Sequence, residues 1–153
     1  MFIVFEGVDA SGKTTIARLL ADRVGGIFYS TPPASFRTRR ESVDLHSDAN
    51  QHYKFYLEGI HVASGEIWNH LATGKTVVCD RYWVSTYVYH VVMEATVSKL
   101  DFKGIVLPEI TVLLTVTPEI QAKRFVSRGM TAGDIRMKDQ QVQLAREFKK
   151  TLV

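Results

Sequence analysis

The sequence contains a single cysteine, four prolines and no apolar run close to 18 residues. One cysteine, Cys79, cannot form an intrachain disulfide, which is typical of proteins from a reducing cytoplasm. The absence of a long apolar run predicts that no segment crosses a membrane. The first apolar segment begins at Phe2 and leaves no room for a signal peptide, so we expect a cytoplasmic protein.

The charge and the histidine pattern limit the partners of the chain. A net charge of +3 permits a phosphate-bearing small molecule, but no nucleic-acid partner is expected from it. The five histidines lack the paired spacing of metal ligands and are expected to be surface or partly buried residues. With 153 residues, 46% of them hydrophobic, and no internal repeat, the chain is expected to form one domain over 1–153.

A phosphate-binding loop is the most specific motif in the sequence. An apolar segment typical of a strand is followed by Gly7, Gly12, Lys13 and Thr14 in the spacing G-x-x-x-x-G-K-[ST]. The glycines let backbone N–H groups turn toward phosphate oxygens, Lys13 can reach the outer phosphates, and the Thr14 hydroxyl can bind Mg²⁺. The pattern predicts a nucleotide-phosphate site made by Gly7, Asp9, Ala10, Ser11, Gly12, Lys13, Thr14 and Thr15.

The remaining apolar segments predict an α/β fold. A helical pattern after the loop and a short strand beyond it form a βαβ opening, which implies a parallel sheet. Two later strands are continuous apolar runs and are expected to be buried on both faces. After residue 26 we predict strands over 27–29, 76–79 and 110–116, and helices over 51–72, 83–100 and 139–152.

Asp80 and Arg81 directly follow one of these predicted strands. Ligands of open α/β sheets bind at the carboxyl ends of the strands, so Asp80 is predicted to hold Mg²⁺ opposite Thr14. The alternative is that Asp80 only caps the next helix. Arg81 can direct its guanidinium fork toward the phosphate of an acceptor.

Further arginines precede or follow polar segments. The stretch with Arg37 and Arg40 predicts either a solvent-exposed helix face or a grip on a second phosphate group. Arg124 and Arg128 lead into a polar, glycine-containing segment, 128–138, which we call the lid. The lid is predicted either to move over a nucleotide or to be an ordinary loop between two exposed helices.

These features together favour phosphoryl transfer between small molecules. The reaction depends on positioning and on charge neutralisation, which Mg²⁺ and arginines supply. The sequence has no Asn-Lys-x-Asp stretch of the kind with which a GTPase fixes its base. A small-molecule kinase is therefore the preferred interpretation, and a non-catalytic nucleotide-binding module is an alternative.

Several motifs resemble the thymidylate kinase family. They are Phe5-Glu6-Gly7-Val8-Asp9 before Gly12-Lys13-Thr14-Thr15, Val77 to Tyr82, Leu113 to Glu119, and Ser127-Arg128-Gly129. Details are most similar to the mitochondrial UMP-CMP kinase branch of that family, namely Pro32-Pro33, Phe55-Tyr56, Asp80 to Trp83, Ser85-Thr86 and Arg128-Gly129-Met130. The resemblance implies a three-layer P-loop NTPase fold with a parallel sheet in the order 2-3-1-4.

The resemblance also implies an activity. The protein would transfer the γ-phosphate of ATP, with Mg²⁺ at Thr14 and Asp80, to a pyrimidine nucleoside monophosphate such as dTMP, dUMP, dCMP, UMP or CMP. A deoxynucleoside kinase is the nearest alternative, and a homodimer is possible. The implied catalytic residues are Lys13, Arg81, Arg124 and Arg128. The implied acceptor contacts are Asp9, Pro33, Arg37, Arg40, Phe55, Tyr56, Arg81, Ser85 and Tyr89.

The sequence departs from the family in two places. Relatives usually carry an arginine in the helix around Glu58 to His61 that reads the thymine carbonyl, and this sequence has none there. Relatives also continue into a fifth strand and a last helix, so we expect these elements to be missing after Leu152, in a chain that is either unusually short or incomplete. The pattern does not decide which of Arg37 and Arg40 grips the acceptor phosphate.

Overall fold

The computed structural model describes residues 1–152. Short 3₁₀ turns lie at Ala34–Phe36, Lys99–Phe102 and Lys138–Gln140. The strands and α-helices are β1 (Phe2–Glu6), α1 (Lys13–Arg23), β2 (Ile27–Ser30), α2 (Arg37–His46), α3 (Ala49–Ala72), β3 (Val77–Asp80), α4 (Trp83–Val92), β4 (Ile110–Leu113), α5 (Pro118–Arg128), α6 (Ala132–Arg136) and α7 (Gln141–Leu152).

The four strands form one parallel sheet in the order β2-β3-β1-β4. This confirms the predicted α/β fold and the predicted strand order. Phe5 in β1 lies opposite Asp80 in β3. Because the strands are parallel, this register brings the end of β1, where the phosphate loop begins, next to Asp80 and Arg81.

Helices cover both faces of the sheet and make three layers. Successive residues of β1 point to opposite faces, as expected for a strand. Phe2 and Val4 pack with α3, whereas Ile3 and Phe5 pack with α1. A third buried cluster joins α4 to α7 through Val84, Val88, Leu144 and Phe148. None of the helices within residues 1–152 has the length and apolar character needed to cross a membrane.

Strand β4 differs from the prediction. The apolar run 110–116 predicted a longer strand buried on both faces, but the strand ends at Leu113 and Ile110 is 46% exposed. Within the described residues β4 pairs only with β1, so it lies at an edge of the sheet. An apolar run shows that a strand is suited to burial, but the neighbouring strands decide whether it is buried.

Helix α4 is also shorter than predicted, because it ends at Val92 rather than near residue 100. Glu94 adopts a left-handed conformation with φ 59°. The Glu94 amide donates to Val91 O at 3.1 Å, and the Ala95 amide donates to His90 O at 2.9 Å. This is the Schellman arrangement that closes a helix, here with glutamate where glycine is usual. The missing glycine explains why the pattern did not predict this helix end.

The end of β4 meets the phosphate loop at Gly7. This residue has φ 137°, and a Cβ atom built on it would lie 2.3 Å from Leu114 O. The position therefore requires glycine for its backbone conformation and for the close approach of the neighbouring chain.

We expect Gly7→Ala to lower the free energy of unfolding by about 2–4 kcal/mol, because it combines a disfavoured φ with a backbone clash. Gly65→Ala is the matched control, since Gly65 lies on α3 with open space around it. That variant is expected to raise the free energy of unfolding by up to about 1 kcal/mol. Urea denaturation measures both effects, and equal stability of the two variants would contradict the expectation.

Candidate active site

The phosphate loop runs from Gly7 to the start of α1. Gly12 caps this helix in a left-handed conformation with φ 103°, and no side chain of the described residues accepts a hydrogen bond at this cap. Lys13 is buried, and its Nζ donates to Val8 O and to Ser11 Oγ, the latter at 3.1 Å. Burial and the nearby Arg81 lower the pKa of Lys13 to about 7, against the attraction of Asp9, Asp80 and Glu6. The loop thus presents amides and an ammonium group suited to phosphate oxygens.

Thr14 and Asp80 meet across the carboxyl ends of the strands, as the sequence predicted. The Thr14 hydroxyl donates to Asp80 Oδ2. Asp80 is buried, and its other oxygen, Oδ1, has no hydrogen-bond partner among the described residues. A buried carboxylate oxygen without a partner is costly unless a ligand satisfies it. A hydroxyl and a carboxylate are the oxygen donors that Mg²⁺ takes in nucleotide sites, so these residues fit a magnesium ion.

Arg81 forms the centre of a polar cluster beside the loop. It adopts φ 67°, and its guanidinium donates to Gly7 O at 3.2 Å, to Ser85 Oγ at 3.1 Å and to Asp9. Tyr89 donates to the other oxygen of Asp9, and the Arg81 Cζ lies 5.1 Å from the Tyr89 ring centroid. Although burial opposes both charges, Arg81 lowers the pKa of Asp9, and Tyr89 and Asp9 raise the pKa of Arg81. The cluster therefore keeps a guanidinium and a carboxylate charged next to the loop.

Glu6 supports this cluster and was not predicted as a site residue. It is fully buried, and its carboxyl group accepts from Ser85 Oγ and, at 3.0 Å, from the Tyr82 amide. Burial raises the pKa of Glu6. Glu6 thus binds Tyr82, which follows Arg81 in the chain, and Ser85, which accepts a hydrogen bond from Arg81. These contacts fix the turn from which Arg81 extends. An acidic residue inside an otherwise apolar strand was the available signal.

Two adjoining cavities contain most of the predicted residues. The first, which we call the phosphate cleft, is lined by Asp9 to Thr15, Arg37, Arg40, Asp80, Arg81, Arg124 and Arg128 among others. The second, the inner pocket, extends from Asp9, Arg81, Ser85 and Tyr89 toward α2, α3 and the lid. Because Asp9, Arg40 and Arg81 line both cavities, a ligand in one lies next to a ligand in the other.

Of the predicted aromatic and proline contacts of the acceptor, only some lie at a cavity. Tyr56 lines the inner pocket, whereas Phe55 is buried and packs edge-on against Phe36 with ring centroids 5.2 Å apart. Pro33 is buried at the start of a 3₁₀ turn and lines neither cavity, although Pro32 lines the phosphate cleft. Adjacent residues of a helix point in different directions, so the Phe55-Tyr56 pair brings only one ring to the pocket.

The rival arginines of α2 have different surroundings. Arg40 Nε donates to Tyr56 OH at 3.1 Å and lies 3.5 Å from Asp44 Oδ2, so it is directed to the inner pocket. Arg37 lines only the phosphate cleft, which it shares with the glycine-rich loop. Both side chains thus line the phosphate cleft, but Arg40 also lines the inner pocket.

Helix α5 and the lid that follows it are folded against the site and carry the other predicted arginines. Arg124 Nη1 donates to Ala10 O at 2.8 Å, which places this guanidinium on the phosphate loop. Arg128 Nη2 is bound to both oxygens of Asp134 at 2.9 and 3.1 Å. Both arginines line the phosphate cleft, and α6 closes the inner pocket.

A buried polar network in the wall of the inner pocket was not predicted. Asp44, His52 and His90 come from α2, α3 and α4, and their exposed fractions are 5%, 6% and 1%. His52 joins the other two, with Nδ1 2.7 Å from His90 Nε2 and Nε2 3.1 Å from Asp44 Oδ1. Single polar residues far apart in the sequence give no pattern that predicts such a contact.

Comparison with known proteins agrees with this arrangement. The sequence model described as thymidylate kinase matches residues 5–152. The chain belongs to the thymidylate kinase family. It is similar to the thymidylate kinase of Solidesulfovibrio magneticus (31% identity over 87% of this chain and 72% of that protein). It is also similar to the probable thymidylate kinase of Methanocaldococcus jannaschii (30% identity over 97% of this chain and 83% of that protein).

Solved structures share the fold of this thymidylate kinase family member. Thymidylate kinase from Candida albicans superimposes with a TM-score of 0.82 at 19% identity, over 99% of this chain and 77% of that one. A deoxyadenosine kinase from M. mycoides with bound dATP gives 0.71 at 14% identity, over 98% of this chain and 82% of that one. Family membership confirms the predicted class, an ATP-dependent nucleoside monophosphate kinase.

The neutral histidine of the pocket wall predicts a pH-dependent stability. Burial, together with the nearby His52 and Arg136, lowers the pKa of His90 to about 3, against a hydrogen bond to Thr86 O. Between pH 6.5 and 3 the unfolded chain therefore binds a proton at His90 that the folded chain excludes. The free energy of unfolding should therefore decrease as the pH is lowered through this range, by up to about 1.4 kcal/mol per pH unit for this residue.

Urea denaturation of the wild type and of His90→Gln at pH 7, 6, 5 and 4 measures this dependence. We expect a flatter profile for His90→Gln. His46→Gln is the control, because His46 is exposed on α2. Parallel profiles for wild type and His90→Gln would contradict the assignment of a neutral buried His90.

Proposed function

We propose that the protein transfers the γ-phosphate of ATP to dTMP, with ATP in the phosphate cleft and dTMP in the inner pocket. The family and its relatives named thymidylate kinases support this acceptor. One observation carries the assignment of the two cavities. Arg81 is fixed by Gly7 O, Ser85 and Asp9, so a cation suited to an acceptor phosphate lies directly beside the loop that binds ATP.

On the ATP side, the amides of the phosphate loop and the N-terminus of α1 would bind the phosphates of ATP. Lys13 would exchange its bonds to Val8 O and Ser11 Oγ for the outer phosphates, which would also favour its charged form. Thr14 and Asp80 would hold Mg²⁺, directly or through water. The ion would bridge the outer phosphates and neutralise their charge.

On the acceptor side, Arg81 would bind the phosphate of dTMP, while Asp9 and Tyr89 would contact its sugar. Arg37 is the better candidate for a second contact with that phosphate, because it faces the phosphate cleft, whereas Arg40 is held by Tyr56. Ser85 would act by holding Arg81 in place.

Charge on the transferred phosphoryl group would be neutralised from α5 and the lid. Arg124 already contacts the phosphate loop at Ala10 O, so only a small movement would bring it to a phosphate. Arg128 is fixed by Asp134 above the same cleft. Both guanidinium groups would act by electrostatic stabilisation, which contributes most of the catalysis in phosphoryl transfer.

A second candidate function is a deoxynucleoside kinase, since a deoxyadenosine kinase has a similar fold. In that case Arg81 would have no acceptor phosphate to bind. The detailed resemblance to the UMP-CMP kinase branch also keeps dUMP, dCMP, UMP and CMP as acceptors to test.

We further infer a cytoplasmic protein from its single cysteine, and a homodimer from the resemblance to the family.

The proposed function is tested by ATP consumption with dTMP, dUMP, dCMP, UMP, CMP and the matching nucleosides as acceptors. We expect dTMP to give the highest kcat/KM and the nucleosides to give no turnover above background. Preference for a nucleoside over its monophosphate would favour the deoxynucleoside kinase. No turnover with any acceptor would favour a non-catalytic nucleotide-binding module.

Lys13→Ala is expected to lower kcat for ADP formation by about 10³-fold or more, because the variant loses the cation that contacts the outer phosphates. Lys54→Ala, which removes an exposed lysine of α3, should leave kcat unchanged. A coupled assay for ADP measures both. Retention of most ADP formation by Lys13→Ala would exclude the proposed mechanism.

Asp80→Asn is expected to lower kcat by about 10–100-fold and to raise the Mg²⁺ concentration that gives half-maximal rate, because an amide is a weaker ligand for a hard cation. Asp22→Asn on α1 is an exposed control. Titration of Mg²⁺ at saturating ATP and dTMP measures the shift. An unchanged Mg²⁺ requirement would remove Asp80 from the metal site.

A further inference from the structure

The polar network of Asp44, His52 and His90 is a continuous chain of contacts from α4 to α2. His90 Nδ1 donates to Thr86 O, and His90 Nε2 lies 2.7 Å from His52 Nδ1. His52 Nε2 lies 3.1 Å from Asp44 Oδ1 and donates to this carboxylate oxygen. Although burial opposes the charge of Asp44, the hydrogen bonds from His52 and Tyr56 and the nearby Arg40 lower its pKa.

The network saturates one oxygen of Asp44 and leaves the other available. Oδ1 accepts from Tyr56 OH at 2.8 Å and from His52 Nε2 at 3.1 Å. Among residues 1–152, Oδ2 has only the Arg40 Nε at 3.5 Å, which is an ion pair without a full hydrogen bond. A Cβ built on Gly133 of the lid would lie 3.4 Å from Oδ2, so glycine keeps space beside this oxygen.

Asp44 lines the inner pocket, and its Oδ2 lies beside Gly133 of the lid. Asp9, Arg81 and Tyr89 occupy the end next to the phosphate loop, whereas Asp44, His52 and His90 line the pocket further along α4 and under the lid. A nucleotide with its phosphate at Arg81 would extend its base toward the second group. The ring edge of a pyrimidine would then approach a carboxylate that is held charged and has a free acceptor oxygen.

The segment of α3 that carries the thymine-binding arginine in relatives cannot make the same contact here. A Cβ built on Gly59, in the segment from Glu58 to His61, would lie 3.3 Å from Pro32 Cβ. Gly59 is packed against the prolines and Phe36, and none of residues 58–61 is among those that line the inner pocket.

We propose that Asp44 is a specificity-determining residue of the acceptor site, whose Oδ2 accepts a hydrogen bond from the N3–H group of thymine. The proposal rests on the proposed function, which puts dTMP in the inner pocket. Tyr56, His52 and His90 act through Asp44 by fixing its charge and orientation. The site would select bases that present a hydrogen-bond donor at this position.

Asp44→Asn tests the proposal because it preserves size and reverses the polarity of the free atom. Tyr56 and His52 both donate, so they should retain the amide oxygen and turn the NH₂ group toward the pocket. The NH₂ group of the variant and the N3–H group of thymine, both donors, would then face each other. We expect the Kd of dTMP, measured by calorimetry with the full chain, to rise about 100-fold.

N3-methyl-dTMP, which has no N3–H group, separates recognition from a structural effect. We expect its Kd to be far higher than that of dTMP for the wild type and to change by about 3-fold or less in Asp44→Asn. The methyl group has the same steric effect in both proteins, because aspartate and asparagine are of equal size. Asp101→Asn is the matched control, since Asp101 accepts from Tyr53 OH of α3 at 2.7 Å but does not line the pocket. Its Kd values should equal those of the wild type.

Equal loss of affinity for dTMP and N3-methyl-dTMP in Asp44→Asn would overturn the proposal and assign Asp44 a structural role. An unchanged Kd of dTMP would overturn it as well. Both outcomes are compatible with full dTMP turnover by the wild type, so the proposal can fail while the proposed function stands. No dTMP binding by the wild type would overturn both.

Discussion

The ion pair between Arg81 and Asp9 holds the site together. Asp9 belongs to the loop after β1 and Arg81 to the turn after β3, and the parallel register of the two strands brings these segments side by side. Both side chains are largely buried, so each charge would be costly without the other. Arg81 also holds Gly7 O and Ser85, and through them the beginning of the loop and the first turn of α4. One guanidinium thus fixes the relative position of three segments.

Charges around this ion pair compensate one another. Glu6, Asp9 and Asp80 provide three carboxyl groups, and Lys13 and Arg81 provide two cations in the same buried region. Burial alone would drive Glu6, Asp9, Lys13 and Arg81 toward neutrality. Arg81 keeps Asp9 charged, and the nearby carboxyl groups limit the fall in the pKa of Lys13, caused by burial and Arg81, to about 7. A bound polyphosphate would restore the full charge of Lys13. A site of this kind favours phosphate binding without a large excess of positive charge on the protein.

The sequence allowed the phosphate loop, the strand order and the meeting of Thr14 with Asp80 to be predicted, because each depends on local spacing and on the geometry of parallel strands. The end of α4 at Val92 could not be predicted, because the usual signal is a glycine and here Glu94 takes the left-handed position. The exposure of β4 depends on which strands lie beside it. The pocket wall could not be predicted because Asp44, His52 and His90 meet only after α2, α3 and α4 have packed.

The lid and the phosphate loop are linked by a chain of side-chain amides. Gln121 of α5 donates to Asp9 O at 2.8 Å and to Gln141 Oε1 at 2.7 Å, and Gln141 donates to Met137 O at 3.0 Å. At the other side of the pocket, Arg136 donates to Asp44 O and Ser47 O at the end of α2. The roof of the inner pocket is therefore tied both to the phosphate loop and to the helix that carries Asp44. Because these bonds join the lid to both ends of the pocket, a movement of the lid has to alter both ends together.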